Sequence, residues 1–267
     1  MRKVVAKVLL GSVVGAIYVY MTIPMAVVVL FSFSDKSYFI FPPSGFSLRW
    51  YWAALATDQF LQPALLSLLI AVLSTLISVA FSIPAALALR KLRRQAWAAL
   101  IEFVMLSPLV IPHLIVGIAL LYFYARIHAV DTFGGLLAAH TLIVFPFMFR
   151  SVLTSAYDLK SQFEEASEIL GATPFQTFTR IILPGLRPGI SAGAIFAFIT
   201  SFDQFTLNLF ITQSERVTLP VALYKYMYDV NDPVTAAVST ALIAIGLLIA
   251  FAAQRAGWLN HLAGRSA

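Results

Sequence analysis

Six segments of the sequence are apolar over about 18 residues or more and nearly free of charge, which restricts the chain to a membrane. A helix needs roughly 20 apolar residues to cross the hydrocarbon core of a bilayer. Hydrophobic residues form 60% of the chain and charged residues only 11%, a composition that cannot cover a soluble surface. The predicted spans are residues 8–34, 61–89, 97–125, 132–149, 189–212 and 233–254.

These spans predict an all-α integral membrane protein with one transmembrane domain over residues 1–267. The chain has no cysteine, which excludes a disulfide framework and thiolate metal sites. Its four histidines are scattered and lack the spacing of a metal motif. They are His113, His128, His140 and His261. We therefore predict neither a catalytic site nor a metal site.

The distribution of lysine and arginine predicts that both termini are cytoplasmic. Cytoplasmic loops carry an excess of these residues, and six spans place both ends on the same side. Thirteen of the 18 basic residues fall in the segments 1–7, 90–94, 150–188 and 255–267, and five fall in 35–58, 126–131 and 213–232. The net charge of +6 thus indicates membrane orientation rather than a nucleic-acid surface.

The longest predicted cytoplasmic loop, residues 150–188, has the pattern of two short helices. Ser161–Leu170 contains good helix formers, and Gly171 fits a left-handed position after a helix end. Thr173 and Pro174 fit an N-cap and a first helical position. We expect the second helix to end at the Pro and Gly residues between 184 and 189. A docking element and an ordinary folded loop both fit these residues.

A motif in this loop resembles the EAA motif of ABC-importer permeases, E-A-A-x3-G-x9-I-x-L-P. Serine replaces the second alanine, and every other position matches. The matching residues are Glu165, Ala166, Ser167, Gly171, Ile181, Leu183 and Pro184. The six-span layout is also similar to the MetI-like permease fold, so the resemblance covers most of the chain.

This resemblance implies a transport subunit that couples to a cytosolic ATPase. Glu165, Ala166 and Gly171 would lie at the ATPase contact, and Ile181, Leu183 and Pro184 would pack the second helix and its exit. The implied partners are a second permease subunit in a heterodimer, two ATPase subunits and an extracytoplasmic solute-binding protein, in a bacterial inner membrane. The sequence has no GxxxxGK[ST] motif, so ATP and Mg would be used by the partner, and this chain would bind no cofactor.

Three ionisable residues within the spans are candidates for function, because such groups are costly inside a membrane. Asp203 could face the translocation pathway or could hold helices together, and both interpretations stay open. Glu102 is expected to pair with the basic cluster at residues 90–94. His140 is expected to be a hydrogen-bonded structural residue. Pro108 and Pro112 are expected to kink the third span.

Three further strings resemble the spermidine/putrescine branch of these permeases. They are Phe41–Tyr51, Ser201–Phe205 and Thr218–Tyr224. This resemblance implies a polyamine substrate, for which the Asp203 carboxylate would be a suitable partner. Permeases for ferric iron, phosphonates or opines share parts of these strings and remain alternatives. An ion-coupled secondary transporter is a further alternative from another class.

Overall fold

The computed structural model describes residues 2–42, 45–212, 216–230 and 232–255, and in these residues the protein is all-α. Most of the predicted cytoplasmic segment 255–267, with His261, lies outside the described residues. So do Pro43 and Ser44 of the string Phe41–Tyr51, and four residues of the predicted outer segment 213–232.

Among the described residues, four helices are long and apolar enough to cross a membrane, and a bent pair adds a fifth span if it is counted as one. The sixth predicted span, residues 233–254, coincides with the last helix, Val234–Arg255. The α-helices are α1 (Arg2–Ser32), α2 (Arg49–Leu55), α3 (Asp58–Leu92), α4 (Ala98–Leu106), α5 (His113–Arg126), α6 (Phe133–Asp158), α7 (Ser161–Ile169), α8 (Pro174–Thr177), α9 (Leu183–Phe202), α10 (Asn208–Ile211), α11 (Leu219–Asp229) and α12 (Val234–Arg255).

The predicted kink in the third span is confirmed and is sharp. A 3-10 turn, Ser107–Leu109, follows α4, and α5 begins only at His113. The two helical parts meet at 93°. Pro108 and Pro112 cause the break, because proline has no N–H to donate and disfavours helical backbone in the residue before it.

The fourth predicted span, residues 132–149, is too short at its carboxyl end. Helix α6 continues to Asp158, into the segment predicted as a cytoplasmic loop. The prediction stopped at Arg150, the first charge after the apolar run. Residues 150–158 are nevertheless compatible with a helix, which at 1.5 Å per residue carries α6 about 12 Å past that charge.

The prediction that the second loop helix ends near Pro184 was wrong. The chain is helical from Pro174 to Phe202, so α8 and α9 are continuous through a π-helical segment, Phe178–Ile182. In a regular α-helix the Pro184 ring would collide with the carbonyl group four residues earlier. The wider π turn directly before it accommodates the ring.

The fifth predicted span, residues 189–212, is not a single helix. Helix α9 ends at Phe202, residues 203–207 form turns, and α10 covers only Asn208–Ile211. Irregular backbone at membrane depth requires internal partners for its polar groups. Asn208 supplies one, since its Nδ2 donates to the carbonyl oxygen of Gln204 at 2.6 Å.

The structure contains two compact units, of which the first combines Met1–Leu61 with Leu223–Phe251. Within it, the Trp50 indole N–H donates to the Ser34 carbonyl oxygen at 2.7 Å, joining α2 to the end of α1. The Tyr226 hydroxyl donates to Asp232 Oδ2 at 2.9 Å. Burial, followed by the hydrogen bond and charge of Asp232, raises the pKa of Tyr226 to about 12, so this hydroxyl stays protonated.

The second unit is built around Gln62–Ala222, and its core lies between α6 and α9. Gly185, Gly189 and Gly193 recur every four residues on α9; Gly189 and Gly193 lie against α6, and Gly185 lies against Leu159, directly after it. A Cβ at Gly193 would be 2.8 Å from Met148 Sδ, and one at Gly189 would collide with the Ser151 carbonyl oxygen. The missing side chains let the two backbones approach closely, as at other small-residue interfaces between membrane helices.

Candidate functional site

Helix α7 ends in a glycine turn that confirms the left-handed backbone expected at Gly171. Its φ is +81°. The Gly171 N–H donates to the Glu168 carbonyl oxygen at 2.9 Å, and the Ala172 N–H donates to that of Ser167 at 3.0 Å. This pair of bonds is a Schellman motif. A Cβ at Gly171 would meet nothing within 4 Å, so backbone conformation alone favours glycine here.

The start of α8 confirms the predicted cap. Thr173 has extended backbone, and Pro174 is the first helical residue. The Gln176 N–H donates to Thr173 Oγ1 at 3.3 Å, and the Thr173 N–H donates to Gln176 Oε1 at 2.8 Å. This capping box satisfies two backbone donors at the helix start. Together α7, its turn, α8 and the π segment form the α7–α8 hairpin, residues 161–182.

A pair of hydroxyl groups joins the two arms of the α7–α8 hairpin. Ser167 is 7% exposed and Thr177 is 5% exposed. The Ser167 Oγ and Thr177 Oγ1 atoms lie 2.8 Å apart, and the Ser167 hydroxyl donates to the Glu164 carbonyl oxygen at 2.8 Å. Sequence comparison with the motif treats this serine as a small replacement for alanine. The hydrogen bond between Ser167 and Thr177, ten residues away, is one that an alanine at position 167 would not form.

The other face of the α7–α8 hairpin is exposed and partly apolar. Glu165 and Ala166 are exposed, and Ile169, Leu170 and Phe175 are 85%, 87% and 75% exposed. Ile181, Leu183 and Pro184 of the motif are half-buried in the following segment. A face of this kind, on a hairpin with fixed caps and turn, is suited to binding another protein.

A groove of about 510 Å³ lies between the carboxyl half of α6 and the start of α9. Hydroxyl groups and two charged side chains line the α6 side, and small residues line the α9 side. The lining residues include Arg150, Ser151, Thr154, Ser155, Asp158 and Gly189. Gly189 belongs both to this polar groove and to the close contact between α9 and α6, so the two features lie side by side.

Within the predicted membrane region, His140 lies at the centre of a buried polar network. It is 1% exposed. Its Nδ1 lies 2.7 Å from Ser201 Oγ, and its Nε2 lies 2.8 Å from Asn208 Oδ1. Ser201 Oγ also lies 3.1 Å from Ser74 Oγ, and Asn208 Nδ2 donates to Thr218 Oγ1 at 2.9 Å. The expected hydrogen bonding of His140 is confirmed, and its structural role stays a prediction.

This network also connects the two breaks in the membrane helices. Gln204, in the turn after α9, is 6% exposed. Its Nε2 lies 3.5 Å from Nδ1 of His113, the first residue after the break between α4 and α5. Gly117 on α5 packs against Leu207 and Phe210. Sequence reasoning missed Ser201, Gln204 and Asn208 as partners, because nothing in their spacing identifies His140.

Asp203 lies outside this network. It is the residue directly after α9 and is exposed, whereas the adjacent Gln204 is buried. Its carboxylate is therefore available to a ligand or partner at the broken end of the helix. Its role in the pathway and its role in holding helices together both stay predictions.

The prediction that Glu102 pairs with the basic cluster was wrong. The Glu102 carboxylate instead lies within interaction range of Tyr157, and the Arg93 guanidinium lies 4.8 Å from the centre of the Tyr157 ring. Among the described residues the cluster forms its ion pair with Glu164, through Arg90. The extension of α6 to Asp158 explains the change, because it places Tyr157 between Glu102 and Arg93.

Comparison with known proteins identifies the family. Residues 72–256 match the model of the family described as binding-protein-dependent transport system inner membrane component. The chain belongs to this family. It is therefore an ABC-transporter permease and a multi-pass protein of the bacterial inner membrane.

Three curated relatives are similar over most of the chain. The spermidine/putrescine permease PotC of Escherichia coli is 28% identical, covering 94% of both chains. The putrescine permease PotI of the same species is 29% identical, covering 86% of this chain and 84% of PotI. The molybdenum permease ModB of Mycobacterium bovis is 30% identical, covering 74% and 80%.

Two solved structures share the fold. A bacterial ABC transporter that imports the acidic polysaccharide alginate has a TM-score of 0.72 at 15% identity, covering 94% of this chain and 95% of the other. The inward-facing MetNI methionine transporter has a TM-score of 0.59 at 20% identity, covering 78% and 96%. These likenesses agree with the expected MetI-like fold.

Proposed function

We propose that this chain forms half of the translocation pathway of an ABC importer for a polyamine such as spermidine or putrescine. It pairs with a second, homologous permease, two ATPase subunits and a solute-binding protein. It crosses the membrane six times with both termini in the cytoplasm, and it has no ATP site of its own. Family membership carries the importer part of the proposal, and the α7–α8 hairpin is where this chain meets the ATPase.

The exposed face of the hairpin supports its role in coupling. Glu165, Ala166 and Gly171 lie at the ATPase contact, and Ile169, Leu170 and Phe175 add exposed apolar surface next to them. Ser167 is the motif residue that points inward. Ile181, Leu183 and Pro184 lie where the hairpin continues into α9 without a break, so displacement of the hairpin moves a membrane helix directly.

The polyamine substrate is supported by two independent observations. PotC, whose name specifies spermidine and putrescine, matches 94% of the chain. Asp203 is an exposed carboxylate within an apolar segment, which favours a cationic solute over an anion. ModB matches at a similar identity, so a permease for another small solute is the second candidate. The fold alone does not discriminate, since the similar alginate importer carries an acidic polysaccharide.

Uptake by the reconstituted complex tests this function. We expect ATP-dependent accumulation of labelled spermidine or putrescine in proteoliposomes that contain this chain, its permease partner, the ATPase and the binding protein. Molybdate and phosphonate uptake should stay at background. Uptake of an oxyanion and not of polyamines would support the second candidate. Uptake that continues without the ATPase or ATP would contradict the importer assignment.

Asp203→Asn tests the charge of the pathway. The amide keeps the size of the side chain and removes its negative charge, so we expect polyamine uptake to fall about tenfold, as for the loss of a charge-assisted contact. Assembly with the partner subunits, measured by co-purification, should not change. Equal uptake by Asp203→Asn and the wild type would exclude a role for this charge.

A further inference from the structure

One arginine of the basic cluster holds the joint between α6 and α7. Arg90 lies in the last turn of α3. Its Nη2 donates to the Leu159 carbonyl oxygen at 2.7 Å, and its Nη1 donates to the Glu164 carboxylate. Both acceptors are about 70 residues away along the chain, so this contact is tertiary.

The two acceptors of Arg90 lie just before the start of α7 and within its first turn. Leu159 is the first of two extended residues between α6 and α7, with ψ of 117°. Its carbonyl group is one that a helix end leaves without an internal partner. Glu164 lies in the first turn of α7. The planar guanidinium group, which has donors in fixed directions, therefore bonds the joint and the helix after it at once.

Burial distinguishes this ion pair from an ordinary surface pair. The Arg90 and Glu164 side chains are 16% and 21% exposed, so solvent screens them less than it screens exposed charges. Glu165, the adjacent residue in the EAA motif, is exposed. The Glu164 side chain therefore packs against its own chain, whereas the neighbouring Glu165 is exposed.

Two further contacts surround the same joint. The Arg93 guanidinium lies over the ring of Tyr157, in the last turn of α6. A Cβ at Gly185, near the start of α9, would be 2.7 Å from Leu159 Cδ1. The ends of α3, α6 and α9 therefore converge on the residue from which α7 departs. Lys91 and Arg94 of the cluster are exposed and offer matched positions for controls.

We propose that Arg90 is a positioning residue that clamps α7 to the end of α3. Through this clamp, formed by Arg90, Leu159 and Glu164, displacement of the hairpin by the ATPase is transmitted to α3 as well as to α6 and α9. The transmission rests on the proposed coupling function, whereas the clamp itself is a contact within this chain. Neither Arg90 nor Glu164 is one of the residues that carry the EAA motif.

Spin labels can measure the clamp without any transport assay. The sequence has no cysteine, so Lys91→Cys and Glu168→Cys would supply the two thiols that the labels need in this chain. In the reconstituted complex we expect a narrow distance distribution between the labels. Arg90→Gln and Glu164→Gln should broaden it, and Arg94→Gln should not. If Arg90→Gln fails to fold, Arg90→Lys is used instead. Lysine keeps the charge but lacks the fixed donors with which the guanidinium group bonds both acceptors, so this variant should also broaden the distance distribution.

The transport arm uses the same variants without labels. We expect the amount of polyamine imported per ATP hydrolysed to fall about tenfold in Arg90→Gln, as for loss of one charge-assisted contact. The ATPase should still co-purify, and Arg94→Gln should match the wild type.

An unchanged distance distribution in Arg90→Gln would overturn the clamp. A broadened distribution with an unchanged import-to-ATP ratio would overturn the transmission. Failure of the proposed function would look different, since the wild type itself would then show no ATP-dependent uptake.

Discussion

The contact between α6 and α9 and the α7–α8 hairpin are adjacent in the chain but are stabilised by different physical means. The membrane contact depends on missing side chains, because glycines on α9 let its backbone approach α6. The hairpin depends on polar detail: a Schellman turn, a capping box and a hydroxyl pair. The membrane contact is suited to rigidity. The hairpin combines a fixed shape with an exposed face, a combination that the proposed coupling role requires.

Gly189→Leu should have the largest effect, because it attacks the membrane contact at its closest point. A side chain there collides with the Ser151 backbone oxygen, and backbone cannot rotate away. We expect the free energy of unfolding to fall by about 3 kcal/mol or more, the upper range for overpacking. Thermal denaturation in detergent measures this. Gly134→Leu is the control, since a Cβ at Gly134 meets nothing within 4 Å, and an equal loss in both variants would contradict the close contact.

His140→Phe should have the next largest effect, because it removes the centre of the buried network. Ser201 and Asn208 each lose a partner, and we expect a loss of about 1–2 kcal/mol, as for strong interhelical hydrogen bonds in membranes. Thermal denaturation again measures the change. In the control, Thr141→Val, the lost hydroxyl bonds only the Leu137 carbonyl oxygen of its own helix. A smaller loss from His140→Phe than from Thr141→Val would show that the network does not join helices.

Gly171→Val tests whether the shape of the hairpin matters for coupling. A branched residue at φ +81° costs about 1–2 kcal/mol of local strain, so we expect the turn to change while membrane insertion is retained. ATP hydrolysis by the complex should continue and polyamine uptake should fall. Gly171→Asn, which tolerates left-handed backbone better, should restore part of the uptake. Normal uptake by Gly171→Val would remove the coupling role of the turn.

Ser167→Ala should have the smallest effect on stability, and it tests whether the hydroxyl pair joins the two arms of the hairpin. It deletes the hydroxyl bonded to Thr177 and restores the alanine of the EAA motif, so we expect a loss of about 1 kcal/mol or less. Protection of the α8 amides from hydrogen exchange measures the loosening. Ser155→Ala removes a hydroxyl from the neighbouring groove and is the control. If Ser167→Ala leaves exchange unchanged, the hydroxyl pair does not join the two arms.

Patterns within about ten residues predicted their local structure correctly. The apolar runs identified helical segments but not the end of α9 at Phe202 inside the fifth run. Gly171 identified the left-handed turn, and Thr173 with Pro174 identified the cap, because each of these features depends on neighbours in the chain. Boundaries that depend on distant residues were missed. The continuation of α6 past Arg150 and of α8 into α9 both run against local signals, a charge in one case and prolines in the other.

The sequence by itself determined that this chain lies in a membrane, that it is helical, and that residues 165–184 resemble an EAA motif, since composition and spacing are properties of the chain alone. Only the tertiary structure decided which polar groups meet. His140 pairs with residues 61 and 68 positions later, and Arg90 pairs with Glu164, 74 positions later. The amino-acid sequence fixes the charge and hydrogen-bonding capacity of each side chain. The partner of that side chain depends on how the helices pack, and the packing depends on all the residues of the folded unit together.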